Sequence, residues 1–474
     1  MREVLAALFR HAETRPAAEA ISAVQDGRRV VLDYAGLAAR VSSFAASLEG
    51  APARVGLYLP RGIDFVAADL ALALLGRWVV PLPDFFSEGQ LRHIAADSGI
   101  EALISAPPLA EAATAFGLPV IVPVAGPAGP RRPSGGSGRI IYTSGTTGRP
   151  KGVLLGEDQV AASVAALAEA AGAGPADRTL SVLPFALLLE QLAGLYVPIL
   201  AGASIHLADR PDHLPMAALE TGATTTVLVP ELLAGWVRFL KASNSRAPET
   251  LRFVAVGGAT VPPALADEAW ALGIPVHEGY GLSECCSVVA VNRPGERVAG
   301  TVGRPLPGLS VTLDAGEIVV SGPTVMQGYL NGASAGGIWH TGDLGRFDEA
   351  GRLVVLGRKD DLIVTSTGRN IHPEWVEPLL KADPRIARTA LVPGDSHPIA
   401  VVVPSPGVEA WFAAAGEAAL LDLAHALTAE CPDYARPGRV VVIDAGQAAA
   451  ASLFTPDGRP RRRAITAHIA RSLP

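Results

Sequence analysis

The sequence predicts an α/β protein: a large N-terminal body of helix-covered, mainly parallel sheets with a smaller β-rich subdomain, then a small α+β C-terminal domain. Three observations predict it. From Ala51 to about Leu207 apolar bursts alternate with helical periodicity, and the strand series continues to Gly281, as expected where helices cover both faces of a parallel sheet. Past residue 300 the texture changes to short strands with turn signals. After GRKDD (357–361) a further unit begins, with strands and a helical stretch of its own.

The elements follow in order. RVGLYLP (54–60) reads as a buried strand, DFVAADLALALLG (64–76) as a helix with apolar residues at 3–4 spacing, and WVVPLP (78–83) as a strand. PAGPRRPSGGSG (127–138) is a loop. GRIIYTS (138–144), TTTVLVP (224–230), LRFVAVGG (251–258) and IPVHEGYG (274–281) carry the continuous β-branched character of buried strands. The long apolar stretch Leu180 to Ala208 contains Pro184, Glu190, Gln191 and Pro198. A lipid-exposed helix would hold Glu190 at its centre at a cost of about 2.5–3.5 kcal/mol, so the stretch reads as buried helix and strand. LSVTLDAGEIVVSGP (309–323) and LGRFDEAGRLVVLGR (344–358) read as short strands and turns. In the last unit ARTALVP (387–393) and IAVVVP (399–404) read as strands, and residues 408–429 as one helical stretch. The expected boundary lies near Asp360, giving domains 1–357 and 358–474.

With 474 residues, 49% hydrophobic and 18% charged, the chain suits two or three packed units rather than long disordered tails. A net charge of −7 argues against nucleic acid or an anionic membrane surface as the main partner. Three cysteines, two of them adjacent (Cys285, Cys286), build neither a disulfide framework nor a cysteine zinc site and fit a reducing, cytoplasmic compartment. The N-terminal MREVLAALFRHAETRP has too short an apolar run for an export segment. The ten histidines show no H-x-x-x-H or H-E-x-x-H pattern.

The loudest chemical signal is YTSGTTGRPKGV (142–153), placed after a strand and before an expected helix. Gly145 and Gly148 let backbone N–H groups turn inward, and Thr143, Ser144, Thr146 and Thr147 add hydroxyl donors. Lys151 supplies a mobile positive charge for a polyphosphate. Of 39 basic residues only four are lysine, which makes its presence here harder to read as filling. The spacing is not that of the G-x-x-x-x-G-K-[ST] nucleotide loop, since Lys151 lies three residues after Gly148.

This stretch resembles the phosphate loop of the adenylate-forming superfamily: acyl- and aryl-CoA synthetases, adenylation domains of peptide synthetases and luciferase-like enzymes. Further motifs recur in the family's order, so the resemblance covers nearly the whole chain. GYGLSE (279–284) resembles the segment in which an aromatic stacks on adenine and an acid holds magnesium. It implies Tyr280 and Gly281 at the adenine, Ser283 at phosphate and Glu284 as a hard oxygen ligand for Mg²⁺. The turn Gly257-Gly258-Ala259 would lie against adenine and the acyl pocket. HTGDLG (340–345) resembles the ribose-binding segment, with Asp343 accepting from both ribose hydroxyls. GRKDD resembles the hinge, with Arg358 on the nucleotide and Asp360 as pivot of a mobile cap. STGRNIHPEWVE (366–377) resembles a cap loop in which Gly368 lines the approach of the thiol.

The sequence departs from the family pattern twice. Near the C-terminus the family carries a glycine followed by a lysine that bridges carboxylate and α-phosphate; here FTPDGRPRRRAI (454–465) places Arg459 after Gly458. Arginine keeps the charge but presents a bulkier planar fork. Three readings stay open: Arg459 serves directly, Arg461 or another arginine serves in a shifted register, or adenylation is weak. In LPFALLLEQ (183–191), similar to the LPxxHxxE segment of fatty-acyl members, Leu187 occupies the histidine position. That loosens the inference to CoA as acceptor.

The resemblance implies an acid–thiol ligase using ATP and Mg²⁺, with Lys151, Glu284 and Arg459 as catalytic residues. A fatty or aromatic acid would be adenylated and passed to CoA or to the phosphopantetheine thiol of a carrier protein. Two alternatives remain at this point: adenylation of a small non-carboxylate acid such as nitrite with an amine acceptor, or a nucleotide-binding protein without catalysis.

Overall fold

The computed structural model describes all residues except 26, 84–85, 108, 115, 128, 130–132, 144–150, 366–368, 395, 456–457 and 473–474, and the side chains of 112, 143 and 472 are likewise outside the description. The described chain divides into two compact units: Met1–Thr312 with Val319–His340 and Phe347–Val354, and Leu313–Ile318 with Thr341–Arg346 and Val355–Pro474. The α/β class expected from the alternating bursts is the one observed.

The first unit is built on two sheets. One has nine strands, with Val276–Leu282, Phe253–Val256, Thr225–Leu228, Arg178–Ser181, Ser204–Leu207 and Glu19–Gln25 adjacent in that order and parallel throughout. Antiparallel strands, Ser287–Val291 and Arg28–Asp33, flank this parallel run. The other has seven strands: parallel Gly138–Thr143, Trp78–Pro81, Arg54–Tyr58, Ala102–Ser105 and Val120–Ile121, extended by antiparallel Lys151–Gly156 and Gly328–Tyr329. The strands read from sequence as continuous apolar runs are those buried on both faces.

Helix Ile63–Leu74 is buried at every residue but Asp64 and packs on Trp78–Pro81 of one sheet and Glu19–Gln25 of the other. A helix apolar all round belongs between two layers. Its one buried acid, Asp69, receives two hydrogen bonds from Arg139, at 2.8 and 2.9 Å, and one from the Tyr196 hydroxyl. A second apolar core gathers under helices Leu214–Thr221, Pro230–Ala242 and Pro263–Ala271. Leu180 to Ala208 forms strand, helix and strand as expected, but the helix opens with a π-helical segment, Glu190–Tyr196. Among the described residues no helix is long and apolar enough to cross a membrane.

In the second unit, helices Pro373–Lys381 and Glu417–Leu427 cover one face of the sheet Ile386–Val392, Ile399–Pro404, Arg439–Val442, and Ala445–Ala450 and Arg462–Ser472 cover the other. Ala400 and Val402 enter one core, Val401 and Val403 the other, the period-2 alternation of a strand covered on both sides.

Two expectations require correction. The next described element after Gly138–Thr143 is a strand, Lys151–Gly156, antiparallel to it, and helix Glu157–Ala170 begins only afterwards. The run Lys151-Gly-Val-Leu-Leu-Gly supplies apolar residues that the sheet takes up between Gly138–Thr143 and Gly328–Tyr329. The stretch 408–429 is two helices, Glu409–Ala414 and Glu417–Leu427, because Ala415 is extended and Gly416 serves as the second N-cap.

Candidate active site

In the first unit the hairpin Gly138–Thr143/Lys151–Gly156 pairs Thr143 with Lys151 across the strands. Ser144, Gly145, Thr146, Thr147 and Gly148, together with the Thr143 side chain, lie outside the described residues. Lys151 is exposed, with Nζ 5.4 Å from the centroid of the Tyr329 ring. Tyr329 sits on the short strand beside it, facing Val153 in register. Its hydroxyl donates to Glu284 Oε1 at 2.7 Å. Lys151 and Glu284, far apart in sequence, thus meet on one aromatic side chain that the motifs did not single out.

Glu284 lies on a 3-10 turn, Ser283–Cys285, at the end of strand Val276–Leu282, and is half-buried. Its carbonyl accepts from the Met326 N–H at 2.8 Å. Directly after the turn Cys286 and Ser287 adopt φ of 55° and 84°, left-handed conformations that cost on the order of 1–3 kcal/mol each in non-glycine residues. The Cys286 N–H closes the turn on Ser283 O at 3.0 Å, and Ser163 Oγ donates to Cys286 O at 2.7 Å. Gly281 is required here, since a Cβ would overlap the Ser287 carbonyl. Cys285 is buried, and burial pushes the Cys286 thiol up to about 12.

Tyr280, half-buried on the same strand, pairs with Ala290 of the antiparallel neighbour Ser287–Val291. Gly257 follows strand Phe253–Val256, buried, and a Cβ on it would lie 3.3 Å from Gly279 O and 4.0 Å from Leu189. Gly258 has φ of 85°, a Cβ on it would lie 3.7 Å from Val229, and Ala259 is exposed beside it. Gly257, Gly258, Gly279, Leu189 and Val229 therefore converge at the carboxyl ends of neighbouring parallel strands, where open α/β sheets bind ligands. Leu187 packs against the second apolar core.

Behind this spot Glu190 is fully buried, accepting from Ser181 Oγ. Burial pushes its carboxyl up to about 7, against the pull of Arg61. Arg61 donates to Ser181 Oγ at 2.8 Å and lies over the Phe185 ring, 4.7 Å from its centroid. Composition flagged none of these links.

In the second unit Asp343, nearly buried, accepts from Arg358 Nη1 at 2.8 Å, and the same nitrogen reaches Thr341 O at 2.9 Å. Thr341 Oγ1 takes the Asp343 N–H at 3.0 Å, and Glu317 takes the Gly342 N–H at 2.9 Å and Lys359 Nζ at 3.0 Å. The two hinge and ribose motifs are thus one hydrogen-bonded network. Asp360 is exposed on the 3-10 turn Lys359–Asp361. Gly357 has φ of 138°, and a Cβ there would overlap the Glu374 carboxylate. Gly368 lies outside the described residues. Arg459 is exposed, next to Gly458 at φ of 84°, in a turn where Thr455 N–H reaches Arg459 O at 2.8 Å. Within the arginine run Arg462 is not a solvated residue: it forms a two-pronged pair with Glu377 and lies 3.3 Å from Asp361.

Among the described residues no group of three or more His, Cys, Asp or Glu side chains is placed to hold a metal. A single carboxylate such as Glu284, oriented by a neutral hydroxyl and joined in no ion pair among the described residues, does fit magnesium, which typically takes one or two carboxylates and completes its shell with phosphates and water.

A family model for AMP-binding enzymes matches residues 8–330. The 2-succinylbenzoate–CoA ligase of Bacillus licheniformis is 34% identical over 270 residues, 53% of this chain and 56% of that protein. The indoleacetate–CoA ligase of Aromatoleum aromaticum is 36% identical over 281 residues, 53% of each. The chain spans about half the length of the curated relatives it matches. The o-succinylbenzoate CoA synthetase of Bacillus subtilis, solved with its acyl-adenylate intermediate, superposes with a TM-score of 0.81 at 26% identity, over 96% of this chain and 97% of that one. ATP-bound MatB of Rhodopseudomonas palustris gives 0.79 at 26% identity, over 99% of each. By the extent of the family match and the motifs it contains, the chain belongs to the AMP-binding enzyme family.

Proposed function

We propose that this protein is an ATP-dependent acid–thiol ligase that activates a fatty or aromatic carboxylic acid as its adenylate and transfers the acyl group to CoA. The observation that carries the reading is the meeting of Lys151 and Glu284 on Tyr329, in a chain of the AMP-binding enzyme family. In the first half-reaction a carboxylate oxygen attacks the α-phosphorus of ATP and the bond to pyrophosphate breaks. In the second a thiolate sulfur attacks the acyl carbon and AMP leaves.

The residue types follow from charge. Carboxylate and triphosphate repel, so cations and oriented N–H groups must neutralise the developing charge. Lys151 and the loop Thr143–Gly148 hold the phosphates, Ser283 adds a hydroxyl, and Tyr280, Gly257, Gly258 and Ala259 flank the adenine. Magnesium supplies charge neutralisation on the phosphates when bound, with Glu284 as its protein ligand. From the second unit Asp343 takes the ribose hydroxyls, Arg358 the nucleotide, Arg459 the charge of the missing lysine, Asp360 the pivot and Gly368 the thiol's path. Leu189 and Val229 favour an apolar acid. A carrier-protein pantetheine as acceptor is the second reading, favoured by Leu187, which offers no hydrogen bond at the motif's histidine position. Cytoplasmic placement belongs to the same proposal.

ATP–pyrophosphate exchange across a carboxylate library, followed by mass analysis of products with CoA, tests it. Lys151→Ala and Glu284→Gln should each lower exchange at least about 10²-fold, the scale of losing one well-aimed electrostatic group, with melting unchanged. Wild-type exchange in either variant refutes the placement of ATP.

A further inference from the structure

We infer that Tyr329 is a positioning residue of the nucleotide site: its hydroxyl aims the Glu284 carboxylate while its ring face holds the Lys151 ammonium. The inference rests on the placement of ATP phosphates and magnesium at Lys151 and Glu284.

The geometry is specific. The Tyr329 hydroxyl donates to Glu284 Oε1 at 2.7 Å, and Lys151 Nζ stands 5.4 Å from the ring centroid. Tyr329 is itself held in place. Its strand pairs with Lys151–Gly156, so that the Leu330 N–H reaches Gly152 O at 2.7 Å and the Gln327 N–H reaches Leu154 O at 2.9 Å. One residue further back, Met326 N–H donates to the backbone carbonyl of Glu284 at 2.8 Å. Trp339 closes edge-on against the ring at 5.7 Å. The five-residue segment Met326–Leu330 is therefore fastened to the strand that carries the cation and to the turn that carries the acid.

The chemistry explains why a tyrosine suits the position. A lysine and a glutamate near each other tend to collapse into an ion pair in which each cancels the charge the other should offer. Among the described residues Lys151 and Glu284 form no such pair. The phenol hydroxyl is a neutral donor, so it fixes the plane of the carboxylate without removing the charge that a hard cation needs. The ring quadrupole attracts the ammonium without offering it an anion that would compete with phosphate. Partners that orient a metal ligand typically matter 10–100-fold to metal affinity or activity.

Tyr329→Phe keeps the ring and removes the hydroxyl; Tyr329→Leu removes both. Binding of a non-hydrolysable ATP analogue is measured by calorimetry at a series of Mg²⁺ concentrations, alongside the ligand-free melting temperature. For Tyr329→Phe the Mg²⁺ concentration at half-effect should rise about tenfold or more, with metal-free nucleotide affinity and melting unchanged. Tyr329→Leu should in addition weaken metal-free nucleotide binding by about two- to fivefold, the range of an exposed cation–π contact. In a Glu284→Gln background the hydroxyl should no longer matter. A wild-type Mg²⁺ titration in Tyr329→Phe, beside a weakened one in Glu284→Gln, overturns the role of Tyr329 and leaves the nucleotide site standing. A wild-type titration in Glu284→Gln overturns the site and the inference together.

Discussion

At the scale of single residues, Tyr329 joins two charges that lie far apart in the chain, its hydroxyl on Glu284 and its ring beside Lys151. Lys151 and Glu284 announce themselves in the sequence by hydroxyl- and glycine-rich neighbours. Tyr329 does not, because its roles depend on atoms 45 and 178 positions away. Glu190 is another such case: the sequence shows an acid inside an apolar run, and only the fold shows it fully buried against Ser181 near Arg61. Its carboxyl rises to about 7 by burial, above the ordinary 4.5. Between those two values the folded protein holds a proton that the unfolded chain has lost, so stability falls as pH rises through the window and stays low above it. Glu190→Gln removes this term. In urea unfolding, its stability relative to wild type should be higher at pH 8 than at pH 5, by on the order of 1–3 kcal/mol. An equal difference at both pH values would contradict the buried, protonated acid.

At the scale of elements, the hydrophobic bursts gave the strands because a strand covered on both faces needs an unbroken apolar run. The hairpin after Thr143 and the split at Gly416 were not legible, since partner strands and caps decide them. The turn bearing Glu284 shows how tightly one element can be specified. Two residues with left-handed backbone, Cys286 and Ser287, are held by Ser163 and face a glycine with no room for a side chain. Gly281→Ala should therefore lower stability by about 1–3 kcal/mol, the usual cost of overpacking, and weaken magnesium-dependent nucleotide binding through the displaced turn. Thermal melting and the same calorimetric titration read both effects; wild-type melting would show that the turn relaxes without cost.

At the scale of the whole molecule, each unit has its own cores, and in the first a buried ionic cluster joins separate elements. Asp69 on the central helix, Arg139 on strand Gly138–Thr143 and Tyr196 at the end of the π-helical segment meet with the charges nearly excluded from water. Removing one partner leaves an uncompensated buried charge, so Asp69→Leu should cost about 3–5 kcal/mol, while Asp69→Leu with Arg139→Met should recover most of the loss. Denaturant unfolding of both variants measures this, and equal losses would show that the pair is not coupled. By itself the amino-acid order determined buried strands such as Arg54–Tyr58, Trp78–Pro81 and Val276–Leu282 and the motifs of the AMP-binding enzyme family, because steric preference and apolar periodicity act over a few residues. Only the tertiary structure decided that Tyr329 joins Lys151 to Glu284, that Arg462 is committed to Glu377 and that Glu190 is buried beside Ser181. The tyrosine and arginine contacts close loops of many residues, and the burial of Glu190 likewise depends on how whole layers pack rather than on any neighbour in the chain.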